Sequence, residues 1–326
     1  MRLDGTDPAA IERAAALLAG GALVAFPTET VYGLGARADD DAAVLKIFEA
    51  KGRPANHPLI VHVADAAAAL HFAARIPPVA QRLIDAFWPG PLTVIVPRAA
   101  GIAEAAAGGQ DSVGLRCPAH PVAQALLRAA RRLGVAGIAG PSANRFGRVS
   151  PTLAAHVEAG FGASMPVLDG GPCTVGIESS IVDCTRGRPV LLRPGVLTRA
   201  AIEAATGEPL QDADAEAPRA PGTLVSHYAP NARVELLTAA MLVTALQSRR
   251  DPAPRLAVYS PDAPGSTVPG VWHRRMPAHP QEVARELFAV LREFDDAGVP
   301  LIWIEVPPPG PEWDGVRDRL QRAAAV

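Results

Sequence analysis

The segment 207–231, GEPLQDADAEAPRAPGTLVSHYAPN, limits most strongly what this chain can fold into. It is rich in Pro, Asp, Ala and Gly and carries no hydrophobic period, so it supplies neither a long buried helix nor a buried strand. It reads as a linker between two units, residues 1–206 and 232–326. A connection this long without regular structure of its own is often functional.

The first unit alternates helix and strand signals. Thr6 or Asp7 can cap a helix that Pro8 opens and Gly20-Gly21 close. ALVAF (22–26) reads as a buried strand. Asp39–Asp41 begin a second helix with Val44, Leu45 and Phe48 on one face. LIVHV (59–63), LTVIV (92–96), SVGLR (112–116), a run near 135–139, SIVDC (180–184) and PVLLR (189–193) read as strands. Helices are expected over 79–87 and from Pro121 to Leu133. The second unit repeats the alternation, with strands at RVELL, RLAVYS and LIWIEV and helices over 239–249, 280–296 and 312–324. The fold class is α/β: a large twisted-sheet domain, a linker, and a small Rossmann-like domain. Hydrophobic residues at 49% of 326 supply real cores and exclude wholesale disorder.

Several functions are disfavoured by composition. No apolar run reaches the roughly 18–20 residues that a membrane span needs. The start, MRLDGTDPAAIERAAALLAGG, offers acids and a helix cap in place of a basic segment and apolar core, so a cytoplasmic protein is expected. A net charge of −2 argues against a protein that coats nucleic acid, while leaving room for a local basic pocket. Cys117, Cys173 and Cys184 form no C-x-x-C pair; reduced thiols are expected, with neither a disulfide framework nor a zinc site.

Chemistry concentrates in a few loops. Gly33-Leu-Gly35-Ala-Arg-Ala38 fits a dinucleotide fingerprint, but no acid follows at the required distance, so NAD is not expected. FPTETVYGLG (26–35) puts Thr28, Glu29 and Thr30 directly after a strand, as a ligand loop or a capping turn. Lys51-Gly-Arg53-Pro either caps a helix or turns two cations on one anion. Lys46 and Lys51 are the only lysines among 31 basic residues. A lysine kept against such a bias suits a need for a compact ammonium, although Lys46 on a helix face weakens that argument. Gly140, Ser142, Asn144, Arg148 and Ser150 occupy one loop whose donors can ring a phosphate. Arg116 and Arg193 end strands, as edge charges or as partners for a carboxylate or phosphate. Ser226-His227-Tyr228-Ala-Pro lies inside the linker, where Tyr228 is either a buried anchor or part of a site.

FPTETVYGLG, KGRP-ANHPLIVHV, WPGPLTVIV, VGLRCPAHP, GPSANRFGRVSPT, DGGPCTVGIESSIVD and LLRPG occur in this order. Together they resemble the YrdC-like threonylcarbamoyl-AMP synthases over most of residues 8–206. The linker and the trailing α/β unit resemble the long, two-domain form of that enzyme. The resemblance implies a YrdC-like domain with a concave site. It also implies a reaction in which L-threonine, bicarbonate and ATP, with Mg²⁺, give threonylcarbamoyl-adenylate and pyrophosphate. A downstream transferase would use the adenylate to modify tRNA. By the same resemblance Lys51, Arg53, Ser142 and Asn144 carry catalysis. Thr28, Arg116, Gly140, Ser179 and Ser180 are expected near threonine. ATP is expected on Lys51, Arg53, Ser142, Ser150, Arg193, His227 and Tyr228, with the linker folded back as a lid. No protein metal ligand and no stable nucleic-acid partner are expected. One departure stands in the linker: family members often carry methionine after its Pro-Gly, and this chain has Thr223. The second domain is assigned no activity of its own, only regulation or lid control as a hypothesis.

Two other readings compete. An RNA-binding module without turnover would use the concave face, but no basic run interleaved with aromatics supports it. A carbamoyltransferase of hydrogenase maturation would add an acylphosphatase module and cysteine-rich zinc fingers, for which this chain has neither the length nor the cysteines.

Overall fold

A computed structural model describes residues 1–224, 227–249, 255–262 and 270–325. Ser226 of the linker motif lies outside the described residues. The chain opens with β1 (Arg2–Asp4), α1 (Pro8–Ala19), β2 (Val24–Phe26), β3 (Gly33–Arg37) and α2 (Asp41–Lys51). It continues through β4 (Ile60–His62), α3 (Ala66–Ala69), α4 (Pro78–Phe87), β5 (Leu92–Pro97), β6 (Ser112–Arg116) and α5 (Pro121–Arg132). Then come β7 (Ile138–Ala139), α6 (Ala154–Phe161), β8 (Val167–Asp169), β9 (Ser180–Asp183), β10 (Val190–Arg193), α7 (Arg199–Thr206) and β11 (Gln211–Asp212). These eleven strands form one mixed sheet in the order β1-β8-β2-β3-β7-β4-β6-β5-β9-β10-β11.

The caps act as the sequence suggests. Asp7 accepts from the Ala9 amide at the start of α1, and Asp40 accepts from Ala43 at the start of α2. Gly52 closes α2 at φ +64, and the Arg53 amide bonds back to Phe48 O. The buried face of α2 is Ala43, Val44, Ile47, Phe48 and Lys51. Leu45, expected there, is 50% exposed, because Ile47 and the Lys51 stem complete the stripe instead.

Alternation along the strands sorts the side chains onto two faces. Val61, Leu92, Val94, Val96, Val113, Leu115 and Val182 enter the main core. Their neighbours Ile60, His62, Thr93, Ile95, Gly114, Arg116 and Ile181 fall on the other face, and there the site is built. Ile60, Ile95 and Ile181 pack with Ala220, so the linker lies across this face. Gln110 holds it: the Arg219 amide donates to Gln110 Oε1 at 2.8 Å, and Gln110 Nε2 donates to Arg219 O at 3.2 Å.

The second unit holds β12 (Arg233–Leu237), α8 (Ala239–Ser248), β13 (Leu256–Ser260), β14 (Val271–Arg275), α9 (Pro280–Asp296), β15 (Leu301–Glu305) and α10 (Asp314–Ala324). Its four strands are all parallel, in the order β12-β15-β13-β14. One apolar cluster crosses between the units, joining Val31, Val149 and Ile177 to Tyr228, Leu287, Phe288, Leu291 and Trp313. Among the described residues no helix is long and apolar enough to cross a membrane.

Several elements escape the sequence reading. β1, β8 and β11 are two or three residues long, too short to show a period. β3 is the former fingerprint decoy, an antiparallel partner of β2. Its glycines answer a packing need: a Cβ at Gly35 would lie 2.8 Å from Ile138 Cγ2 and 3.0 Å from the Phe26 ring. β14 carries Trp272, His273 and two arginines, a polar pattern that hides an edge strand.

Candidate active site

A cavity of about 40 Å³, partly open to solvent, lies on the face just described. Of the residues expected from the sequence, it brings together Thr28, Arg53, Arg116, Gly140, Ser142, Arg193, His227 and Tyr228. Lys51, Asn144, Ser150, Ser179 and Ser180 do not line it, and the first four bond to the loops that do.

The Thr28 hydroxyl is spent on its own turn. It accepts from the Val31 amide at 3.2 Å and donates to Val31 O at 2.6 Å. That turn presents Thr30, whose hydroxyl accepts from Arg116 Nη1 at 2.8 Å. Arg116 Nη2 also lies 2.7 Å from Glu29 Oε1, out of line for a hydrogen bond, with both side chains buried. The end of β6 therefore carries a buried cation with one carboxylate partner.

Lys51 is 3% exposed and donates to Ser142 O at 2.5 Å and to Asn144 O. Burial, and then the Arg53 charge, push its ammonium well below its ordinary pKa. Because Gly52 reverses the chain, Lys51 grips the 142–144 loop while Arg53, one residue further, lines the cavity. Burial lowers Arg53 to about 10, still charged at neutral pH. Asn144 donates from Nδ2 to Arg145 O and Arg148 O, both at 2.8 Å, which shapes the loop. Its Oδ1 is buried without a partner.

Arg193 joins sheet to linker. Nε donates to Ser179 O at 3.1 Å, Nη2 to Ser179 Oγ at 3.2 Å, and Nη1 to Pro221 O at 2.9 Å. Ser179 Oγ also meets Thr93 Oγ1 at 2.8 Å, and Ser180 Oγ is buried without a partner. Ser150 donates to Glu178, a cavity-lining carboxylate.

The linker closes the top. Gly222 sits at φ +73, and a Cβ there would lie 2.1 Å from Tyr228 Oη. Tyr228 itself takes φ +62, is 1% exposed, and stacks on Phe288 at 5.5 Å. Its strained backbone is held by the Ala229 amide bonded to Gly147 O. The His227 ring meets Tyr228 at 4.2 Å, and burial, with the charges of Arg53, Lys51 and Arg193 against Glu178, pushes it down to about 3. Thr223 donates to Ala220 O, closing the turn before the histidine.

Three contributors to the site carry little signal in the sequence. Glu178 sits inside a quoted motif but received no role. His62 looked like an ordinary strand residue; its two-residue spacing from Ile60 was the available signal. Arg319, from the far end of the chain, gave none.

Three arginines line this cavity, and a linker histidine and tyrosine roof it, so within an α/β fold its wall carries the charge to receive anionic groups. The family model described as "Telomere recombination" matches residues 16–195, and that described as "Threonylcarbamoyl-AMP synthase, C-terminal domain" matches residues 197–325. The threonylcarbamoyl-AMP synthase of Pyrococcus abyssi is 38% identical, over 96% of this chain and 94% of its own length. That of Bacillus subtilis is 38% identical over 99% and 94%. P. abyssi Sua5 complexed with L-threonine superposes with a TM-score of 0.87 at 37% identity, covering 98% and 95% of the two chains. A variant of the same protein, altered at a histidine and a tyrosine, gives 0.90 at 35%, covering 99% and 96%. This chain belongs to the threonylcarbamoyl-AMP synthase family, in its two-domain form.

Proposed function

We propose that this protein condenses L-threonine, bicarbonate and ATP into threonylcarbamoyl-adenylate and pyrophosphate, in the cytoplasm, for transfer to tRNA by a separate enzyme. The observation that carries this reading is the placement of Arg53, Arg116 and Arg193 around one cavity. Arg116, with Thr30 beside it, receives the threonine carboxylate. Arg53 and Arg193 receive the triphosphate, and Ser142 adds a hydroxyl. Lys51 and Asn144 act by holding the loop that presents Ser142.

The threonine nitrogen adds to the bicarbonate carbon and water leaves, giving a carbamate. A carbamate oxygen attacks the α-phosphorus, a P–O bond forms, and pyrophosphate departs with the electron pair of the broken bond. Positioning and charge stabilisation suffice for such a step. The linker excludes water, which protects a hydrolysable mixed anhydride.

Mg²⁺ enters as the counter-ion of ATP. Glu178, the lining carboxylate, already accepts from Ser150 and Arg319. Among the described residues no group of three or more His, Cys, Asp or Glu is placed to hold a metal ion. An ATP-bound Mg²⁺ would be held by phosphate oxygens and water and would neutralise charge on the triphosphate. The comparisons favour the synthase over a bare RNA-binding module.

The test is pyrophosphate release from purified protein with ATP and Mg²⁺, with threonine and bicarbonate each added or omitted. Release is expected only with both, and near-loss in Lys51→Ala. No release in any combination, or release without threonine, overturns the reading.

A further inference from the structure

Arg319, in α10 of the second unit, is 0% exposed and does not line the cavity. Its guanidinium nevertheless reaches the cavity wall from behind. Nε donates to Glu178 Oε2 at 2.8 Å, Nη2 to Glu178 O at 3.1 Å, and Nη1 to Pro194 O at 2.9 Å. Nη1 also donates to Asp318 Oδ2 at 2.6 Å. Its Cζ sits 5.3 Å from the Tyr228 ring centroid. One cation from the C-terminal helix therefore touches the lining carboxylate, the residue after Arg193, and the linker tyrosine.

The approach is built in. Four residues before Arg319, a Cβ on Gly315 would lie 2.4 Å from Gly195 O, so α10 rests directly on the loop after β10. Glu178 responds to this partner. Burial alone would raise its carboxyl pKa, but Arg319, then Arg193, and the bonds from Ser150 and Arg319 hold it below the ordinary value. A buried carboxylate stripped of its partner is an uncompensated charge, which favours a move toward the other cation acting on it. Here that cation is Arg193, which instead gives its donors to Ser179 and Pro221 and keeps its charge on the cavity.

Building on the ATP-binding reading above, we infer that Arg319 is a positioning residue: by occupying Glu178 it keeps Arg193 on Ser179 and Pro221, with its charge on the cavity for the polyphosphate. The second domain thereby completes the nucleotide half of a site whose lining it does not supply. Threonine, expected on Arg116 at the Glu29 end, is not coupled to this pair.

The experiment measures ATP and L-threonine affinities by calorimetry, with pyrophosphate release in parallel, on the full chain. Arg319→Gln is expected to weaken ATP about tenfold or more while threonine stays within about twofold. Adding Glu178→Gln removes the competitor for Arg193, so the double variant should recover most of that loss. Arg319→Lys keeps the charge but loses the fork that reaches Glu178 and Pro194 together, so its ATP affinity should fall between wild type and Arg319→Gln. If Arg319→Gln does not fold, the double variant is compared directly with wild type, since it leaves no uncompensated buried charge. Unchanged ATP affinity in Arg319→Gln, a double variant as weak as or weaker than Arg319→Gln, or equal losses for both ligands would overturn the inference. A wild type that binds no ATP would instead overturn the functional reading on which it rests.

Discussion

Charges at this site are held in place by backbone. Lys51 bonds two carbonyls of the 142–144 loop, and Arg193 bonds the carbonyl just before β9 and a linker carbonyl. Fixing guanidinium and ammonium groups before substrate arrives is what makes an anion site strong in a partly dry cavity. The same burial shapes the response to acid. His62 and His227 are pushed from an ordinary 6.5 down to about 3, and His156 to about 4, each chiefly by burial. Between those values and 6.5 the unfolded chain binds more protons than the folded one, so stability falls as pH drops through that window. The slope reaches at most about 1.4 kcal/mol per pH unit for each histidine. Thermal midpoints followed from pH 7 to pH 4 should therefore drop, and His62→Gln should flatten the drop. Parallel curves for variant and wild type would contradict this assignment.

Elements meet at the site through small residues. Gly176 lies at φ +86 in the loop before β9, and its amide bonds to Thr30 O. A Cβ there would fall 2.4 Å from Ala284 O and from Arg285 Cα, both in α9. Gly176→Ala combines a left-handed backbone, worth roughly 1–2 kcal/mol, with a clash against helix backbone that cannot swing aside. We expect a loss of at least ~2 kcal/mol in denaturant unfolding. A variant as stable as wild type would show that loop and helix are not packed as described. The signals that placed α1, α2 and α5 in the sequence are end caps for the first two and an amphipathic stripe for the last two. The loop carrying Gly176 has no stripe, and only its glycines hinted at close approach.

At the scale of the whole molecule, the two units share an apolar cluster that runs from Val31 and Ile177 to Phe288 and Trp313. The Glu178–Arg319 pair lies beside that seam with both side chains buried. Domains joined by small polar contacts move independently, but a large apolar interface couples them. Calorimetry of the full chain should show one cooperative transition, and two resolved transitions would refute the coupling. The linker belongs to this interface as much as to either domain, since Ala220 packs on the large sheet while Tyr228 stacks on α9.

The sequence by itself determined the α/β class, the main strands and capped helices, and eight of the seventeen residues that line the cavity. Those features rest on short-range rules: hydrophobic period, capping chemistry, and motifs that keep their ligands within a few residues. Only the tertiary structure decided that Lys51 braces a loop behind the lining and that Leu45 faces solvent. It also showed that a decoy fingerprint is a packed strand and that two-residue strands extend the sheet. Arg319 is the clearest case. Its meeting with Glu178 joins positions 141 residues apart, and nothing local in a helix rich in arginine marks which one will be buried. Burial of a charge is a property of what packs around it, and that is settled only when both units close on the same seam.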